Sequence, residues 1–213
     1  MKKIKLVSLI LIIASLFVAC SGKNNTTSNN DTDPINIESV MTSAAIPEHT
    51  FVTFETESHG KFVVETYPEY APETVRHFLS LVESGYYNGF TIDTIDHSNF
   101  LLSSETSEAF SSNDPTAAKP STIVGEFIKN GKSNTLKLEK YTLALNHIED
   151  NYDTGKAQFM IMLTSNHDLD GEYAGFARVI EGKEVIDKMA GSEVNINGKP
   201  VLPIVMKNVY INS

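Results

Sequence analysis

Among the groups in this 213-residue chain that could do chemistry are one thiol, six imidazoles and two guanidinium groups. Cys20 is the only cysteine, so a disulfide within the chain is impossible and the thiol is left free to carry another group. The histidines are dispersed singly, with no spacing that suits a metal ion, and no nucleophile elbow is visible, which speaks against a hydrolase. The arginines are Arg76 and Arg178 alone. Chemistry that needs a metal, a cofactor or a covalent protein nucleophile therefore has no support here.

The surroundings of Cys20 give it a use. A basic start (Lys2, Lys3, Lys5), an apolar stretch from Leu6 to Phe17 and the residues Val18 and Ala19 form a signal-peptide layout over residues 1–19. The apolar stretch is short of the roughly 20 residues that span a bilayer. The run Leu16-Phe17-Val18-Ala19-Cys20 resembles a bacterial lipobox, with Phe17 in place of the usual leucine, and implies that Cys20 is acylated and becomes the first mature residue. The alternative is an ordinary residue beyond a conventional cleavage site. Against it stand the lack of a partner cysteine and the segment from Ser21 to Asp33, rich in Ser, Asn, Thr and Lys without an aromatic residue, which reads as a tether. Acyl chains hold a protein at a bilayer through about 0.8 kcal/mol per buried CH₂, with more than one chain needed for a stable anchor.

The formal net charge is −10, with 27 acids. Loss of residues 1–19 removes three lysines and no acid, which leaves fourteen cations against 27 acids, a charge of −13. A nucleic-acid partner is excluded on that balance, and attraction to anionic lipid supplies nothing, so membrane affinity falls to the lipid. The expected localisation is the cell membrane, lipid-anchored on its extracytoplasmic face. A tether over residues 20–49 spans near 30 Å, at about 5 to 6 Å times the square root of its length.

Residues 50–213 are long enough for one domain that buries about 70% of its unfolded surface. Phe51 to Thr56 and Phe62 to Tyr67 alternate as strands around a turn at Ser58-His59-Gly60. Pro72 suits a first helical turn, Glu73 suits the positive end of the helix dipole, and Val75, Phe78, Leu79 and Val82 repeat at helical spacing before Gly85. Further strands are expected at Phe100–Leu102, Thr142–Leu145, Phe159–Leu163, Ala174–Ile180 and Ile204–Ile211, with a second helix at Lys183–Met189. Many short strands with two helices predict a mainly β fold, a closed barrel capped at its ends.

Several ordered stretches resemble bacterial cyclophilins, the family of peptidyl-prolyl isomerases. They are Tyr67-Pro68-Glu69-Tyr70-Ala71-Pro72-Glu73-Thr74-Val75, Phe78 through Gly89, Gln158 through Leu163, Leu169-Asp170-Gly171-Glu172-Tyr173-Ala174-Gly175-Phe176, and Arg178 through Gly182 running on to Val185-Ile186-Asp187-Lys188. The resemblance covers nearly all of residues 51 to 211 and implies a closed eight-stranded antiparallel cyclophilin-like barrel capped by two α-helices. It also implies action on the X-Pro peptide bond, whose cis/trans barrier of about 20 kcal/mol makes isomerisation slow. That chemistry needs an apolar cup for the proline ring, polar groups for the flanking backbone, and a donor aimed at the proline nitrogen, which in the family is an arginine.

By the same resemblance the cup contains Phe100, Leu101, Met160, Leu169 and Tyr173, and Gln158 holds substrate backbone. Ser103 stands where the family has a second glutamine, at the start of Ser103-Ser104-Glu105 in place of Gln-Gly-Gly, and Asn146 and His147 fall where a small residue and a backbone contact are usual. The arginine position is Thr94, within Ile92-Asp93-Thr94, and one residue is inserted before Phe100. Between Phe62 and Ala118 there is no lysine, which leaves His97 as the possible surrogate donor. The expectation is a membrane-anchored monomer without metal or cofactor that binds X-Pro segments of exported proteins and isomerises them weakly. A non-catalytic proline-peptide or protein-binding module on the same scaffold, displaying polar loops such as Glu105 to Lys119, is the alternative.

Overall fold

Phe51–Thr56 (β1) and Lys61–Thr66 (β2) pair antiparallel, Phe51 opposite Glu65 and Glu55 opposite Lys61. Alternation sends Val52, Phe54, Phe62 and Val64 to one face, where all are buried, and the Phe54 and Phe62 rings stack with centroids 4.8 Å apart. Pro72–Glu83 (α1) lays Thr74, Val75, Phe78, Leu81 and Val82 against that face. Its cap residue Ala71 offers no side-chain acceptor. The acceptor comes from Glu126, whose carboxylate takes the N–H groups of Glu73 at 3.1 Å and Thr74 at 2.7 Å. An anion there also suits the helix dipole.

The computed structural model describes residues 48–105 and 120–213. Cys20, the segment 1–19, the tether as far as residue 47 and the loop 106–119 lie outside the described residues. The remaining elements are Ile92–Asp96 (β3), Phe100–Ser103 (β4), Thr142–Leu145 (β5), Phe159–Met162 (β6), Ala174–Glu181 (β7), Lys183–Ala190 (α2) and Met206–Ile211 (β8). Gly182 turns β7 into α2 with φ 73°, and a Cβ there would stand 2.4 Å from the Lys61 carbonyl oxygen, so only glycine fits.

Among the described residues, all eight strands join one antiparallel sheet in the order β3-β4-β6-β5-β7-β2-β1-β8, as expected for a mainly β barrel with two helices. The closure differs from a continuous ladder. Edge strands β3 and β8 meet through a single bridge between Thr91 and Val205 and through loop hydrogen bonds. In those bonds Gly89 N–H donates to Met206 O at 2.7 Å, Ile92 N–H to Ile204 O at 3.0 Å, and Ile95 N–H to Gly198 O at 2.8 Å. The expected closing strand starts at Met206, because Ile204 and Val205 are spent on this seam.

The sheet buries apolar residues on both faces. The inner face carries the main core, where Phe78 packs on Tyr87 and Phe176 with ring centroids 5.3 and 5.0 Å away. The outer face carries a smaller cluster of Leu138, Ala144, Met160 and Met162, with Phe100, Leu102, Leu169 and Tyr173 packed against it half-buried. Among the described residues no helix is long and apolar enough to cross a membrane.

Candidate functional site

Strand register assembles the outer cluster. Thr94 on β3 stands opposite Leu102 on β4, Leu102 opposite Met160 on β6, and Met160 opposite Ala144 on β5, which makes one row across four strands. Asp96, Phe100 and Met162 form the neighbouring row. Residues directly opposite share a face, so both rows point the same way and make one apolar cup face, in which Met160, Met162 and Ala144 are buried and Phe100 and Leu102 are half-buried.

Two loops finish the wall. The turn His167–Leu169 presents Leu169 beside Leu138, because Asp170 Oδ1 accepts the Leu138 N–H at 2.8 Å and Asn166 N–H donates to Leu138 O at 3.0 Å. Burial opposes the charged form of Asp170, but the Leu138 N–H, Lys137 and His167 more than offset it, and the carboxyl sits below its usual range. Tyr173 closes the other side and stacks on His147, ring centroids 4.7 Å apart, with His147 stacked in turn on Phe127 at 5.0 Å. Burial raises the Tyr173 phenol above its ordinary value, so it stays neutral.

Phe100, Met160, Leu169 and Tyr173 therefore come together. Leu101 does not. It faces Ile95 and Ile161 inside the barrel and is 0% exposed, because alternation on β4 gives Phe100 and Leu102 one face and Leu101 and Ser103 the other. The sequence reading missed Leu102, half-buried on the cup face, and Met162 and Leu138, buried beneath it. Counting two residues on from Phe100 and from Met160 would have found the first two.

The polar positions also differ from expectation. Ser103 is buried, with Oγ accepting the Phe159 N–H at 3.0 Å and donating to Ser104 O at 3.2 Å, so it does not face a substrate. Gln158 donates through Nε2 to Ser103 O at 2.8 Å and accepts at Oε1 from Asn146 Nδ2 at 2.5 Å. Its amide is thus held at both ends by the protein, beside the cup. His97 turns away from the cup: its Nδ1 lies 2.8 Å from the carbonyl oxygen of Ala190, the last residue of α2, which removes it as the surrogate donor. Thr94 is on the cup face, at the end of the Leu102 row. Arg76 pairs with Glu73 within α1, and Arg178 on β7 faces Glu139 and Lys137 O, both at 3.3 Å. Among the described residues no group of three His, Cys, Asp or Glu side chains could hold a metal ion.

What the arrangement offers is a half-buried apolar surface of Phe100, Leu102, Leu169 and Tyr173 over a buried layer of methionines, flanked by amides, with Asp96 in the Phe100 row and His147 behind Tyr173. The model of the family described as cyclophilin type peptidyl-prolyl cis-trans isomerase/CLD matches residues 51–211. Peptidyl-prolyl cis-trans isomerase B of Escherichia coli is 34% identical over 158 residues, covering 69% of this chain and 88% of that protein. A peptidyl-prolyl cis-trans isomerase-like 1 protein of Aspergillus fumigatus is 35% identical over 156 residues, covering 71% and 89%. A crystal structure of a cyclophilin type isomerase from Cryptosporidium parvum superposes with a TM-score of 0.65 at 22% identity, over 78% of this chain and 99% of that one, and shares the fold. With the barrel, the cup and the family match over 51–211 in agreement, this chain belongs to the cyclophilin-type peptidyl-prolyl cis-trans isomerase family.

Proposed function

We propose that this protein is an extracytoplasmic peptidyl-prolyl isomerase, anchored to the membrane by a lipid on Cys20, that takes X-Pro segments of exported proteins into the outer-face cup. The observation that carries the reading is the half-buried apolar surface of Phe100, Leu102, Leu169 and Tyr173, laid over the buried Met160, Met162 and Ala144. A proline ring seated there leaves the twisting amide toward the Thr94 end of the row. Threonine cannot supply a cationic donor, and loss of one preorganised donor costs roughly 10² to 10³ in rate, so turnover is weak. The tether raises the local concentration of the domain near chains that emerge from the membrane and offsets weak binding.

The test is the rate at which the full chain isomerises a proline tetrapeptide, compared with Thr94→Arg. A wild-type rate above buffer, raised by the substitution, supports the reading; a wild-type rate equal to buffer removes it. The second reading, a binding module without turnover, is favoured by one observation: the Gln158 amide is already satisfied by Asn146 and Ser103. Under that reading proline peptides bind at Phe100 and Tyr173 without any faster exchange.

A further inference from the structure

We infer that His147, which backs the cup wall, is a positioning residue for Tyr173, and that its imidazolium form fixes this wall, so that the cup holds proline peptides more tightly in acid than in base. The inference rests on the reading of the cup above.

The ring of His147 is half-buried in the middle of a stack of three. On one side lies Tyr173, with centroids 4.7 Å apart and planes 29° from parallel, and on the other the buried Phe127, at 5.0 Å and 15°. Tyr152 meets the stack edge-on, 5.6 Å from His147 and 5.3 Å from Phe127. Phe127 belongs to the main core and Tyr173 to the cup face. The imidazole therefore carries the orientation of a fixed core ring out to a half-buried ring that a peptide touches.

Both ring nitrogens face the same kind of partner. Nδ1 lies 2.9 Å from the carbonyl oxygen of Ile148, and Nε2 lies 3.0 Å from that of Glu172, the residue before Tyr173. A neutral imidazole carries one N–H, so it satisfies one carbonyl and turns a lone pair toward the other. Imidazolium donates to both at once. It also suits a place between two aromatic faces, which attract a cation. Ile148 O already accepts the Asn151 N–H at 3.0 Å within its own turn, whereas Glu172 O belongs to a loop 25 residues away. A neutral ring with its proton on Nδ1 leaves the Glu172 loop, and Tyr173 with it, without this tie.

The charged groups around the stack do not take over that role. Lys129 pairs with Glu172 at 3.2 Å and sits 5.9 Å from the centre of the Tyr152 ring, so the two charges offset each other. Asp153 is occupied by the Gly125 N–H at 3.0 Å and the Asn130 amide at 2.8 Å. Glu149 and Asp150, exposed in the turn after His147, bring negative charge to its rim. Burial, then Glu172 and Glu149, raise the Tyr173 phenol, which stays neutral. On the opposite wall His167 faces Asp170 at 3.0 Å, where Lys137 is also bound, and this second imidazole is the rival source of a pH effect on the cup. A bond that only the imidazolium makes is present in acid and is lost as pH rises.

The experiment measures the Kd of a proline tetrapeptide with blocked termini, and the flip rate of the Tyr173 ring by NMR without peptide, at about pH 5.5 and about pH 8.5, on either side of the range in which histidine side chains change charge. It uses the full chain, His147→Phe, His147→Gln and His167→Gln, with thermal melts of each. The wild type is expected to bind about threefold more tightly at the lower pH, the scale of one net hydrogen bond, and to flip Tyr173 more slowly there. His147→Phe keeps a stacked ring and His147→Gln keeps a donor, and both are expected to lose the pH difference, with the glutamine variant binding more tightly than the phenylalanine one. His167→Gln keeps the difference. Where His147→Phe melts lower than wild type, His147→Gln decides in its place. An equal wild-type Kd at both pH values, or a difference that survives in His147→Gln, overturns the inference and leaves the isomerase reading standing. Loss of the difference in His167→Gln alone moves the effect to the Leu169 turn and also overturns it. A wild type that binds no peptide removes the cup reading, and the flip rate then decides alone: equal Tyr173 rates at both pH values overturn the inference.

Discussion

Glu126 and Thr74 are joined by two hydrogen bonds of 2.7 Å, from the Thr74 backbone N–H and from its hydroxyl to the same carboxylate oxygen, although 52 residues separate them. Glu126 is 8% exposed, and its other oxygen takes the Glu73 N–H. A buried carboxylate thus supplies the cap that Ala71 cannot, and the aromatic face of α1 depends on it.

Glu126→Ala strands those N–H groups in the interior and is expected to destabilise the domain by roughly 2 to 3 kcal/mol, with Glu126→Gln costing about 1 kcal/mol. Urea unfolding monitored by circular dichroism checks this. A loss under about 0.5 kcal/mol for the alanine variant would remove the capping account.

The cup face and the core face of β4 are separable by mutation. Leu101→Ala opens a cavity against Ile95 and Ile161 and is expected to cost about 2 to 5 kcal/mol of stability. Leu102→Ala, half-buried beside Met160, costs less stability but weakens proline-peptide binding. The opposite assignment of the two effects, in paired melts and titrations, would mean that the β4 register is shifted by one residue.

Much of this was readable in the sequence. Phe51 to Thr56, the helical spacing of Val75, Phe78 and Val82, and the helix starting at Lys183 signalled their elements because each has one wet face and one dry one. Strand β3 has no such pattern, since a register shift between Ile92 and Thr94 breaks its alternation, and only the family resemblance located it. The side chains of β4 could not be sorted, because Phe100, Leu101 and Leu102 are all apolar and both faces of the sheet bury apolar groups. The roles of Glu126, Ser103 and His97 are set by partners about 50 or more residues away in sequence, so local spacing carries no trace of them.

His49 supplies a pH dependence. Its Nδ1 lies 3.0 Å from Glu65 and its Nε2 3.0 Å from Glu69, and the ring meets Tyr67 edge-on with centroids 5.3 Å apart. The Glu65 hydrogen bond, opposed by slight burial and helped by Glu69, raises the imidazole above its ordinary value of 6.5. Tyr67 donates to Glu65 as well, and burial with that bond pushes its phenol up to about 12, so it stays neutral through the same range. Stability from a raised histidine is fully present below the unfolded value and is lost as pH rises through the folded one. The melting difference between wild type and His49→Ala is therefore expected to be largest near pH 5.5 and to shrink by about pH 8.5. A difference that is constant over that range would contradict the assignment.

Gln158 has to exchange partners to hold a peptide. Its Oε1 is taken by Asn146 at 2.5 Å. Asn146→Ala releases that oxygen without touching the apolar wall and is expected to tighten proline-peptide binding by up to about fivefold, the scale of one net hydrogen bond. Weaker binding in a titration would show that Asn146 itself contacts the peptide.

Exchange NMR of a proline tetrapeptide mixed with the full chain tests the central claim most directly, because it reads turnover and location together. The account predicts cis/trans exchange faster than in buffer, with shifts concentrated at the Phe100 and Tyr173 rings and the Leu102 and Leu169 methyl groups. Exchange at the buffer rate, with shifts elsewhere on the surface, would contradict it.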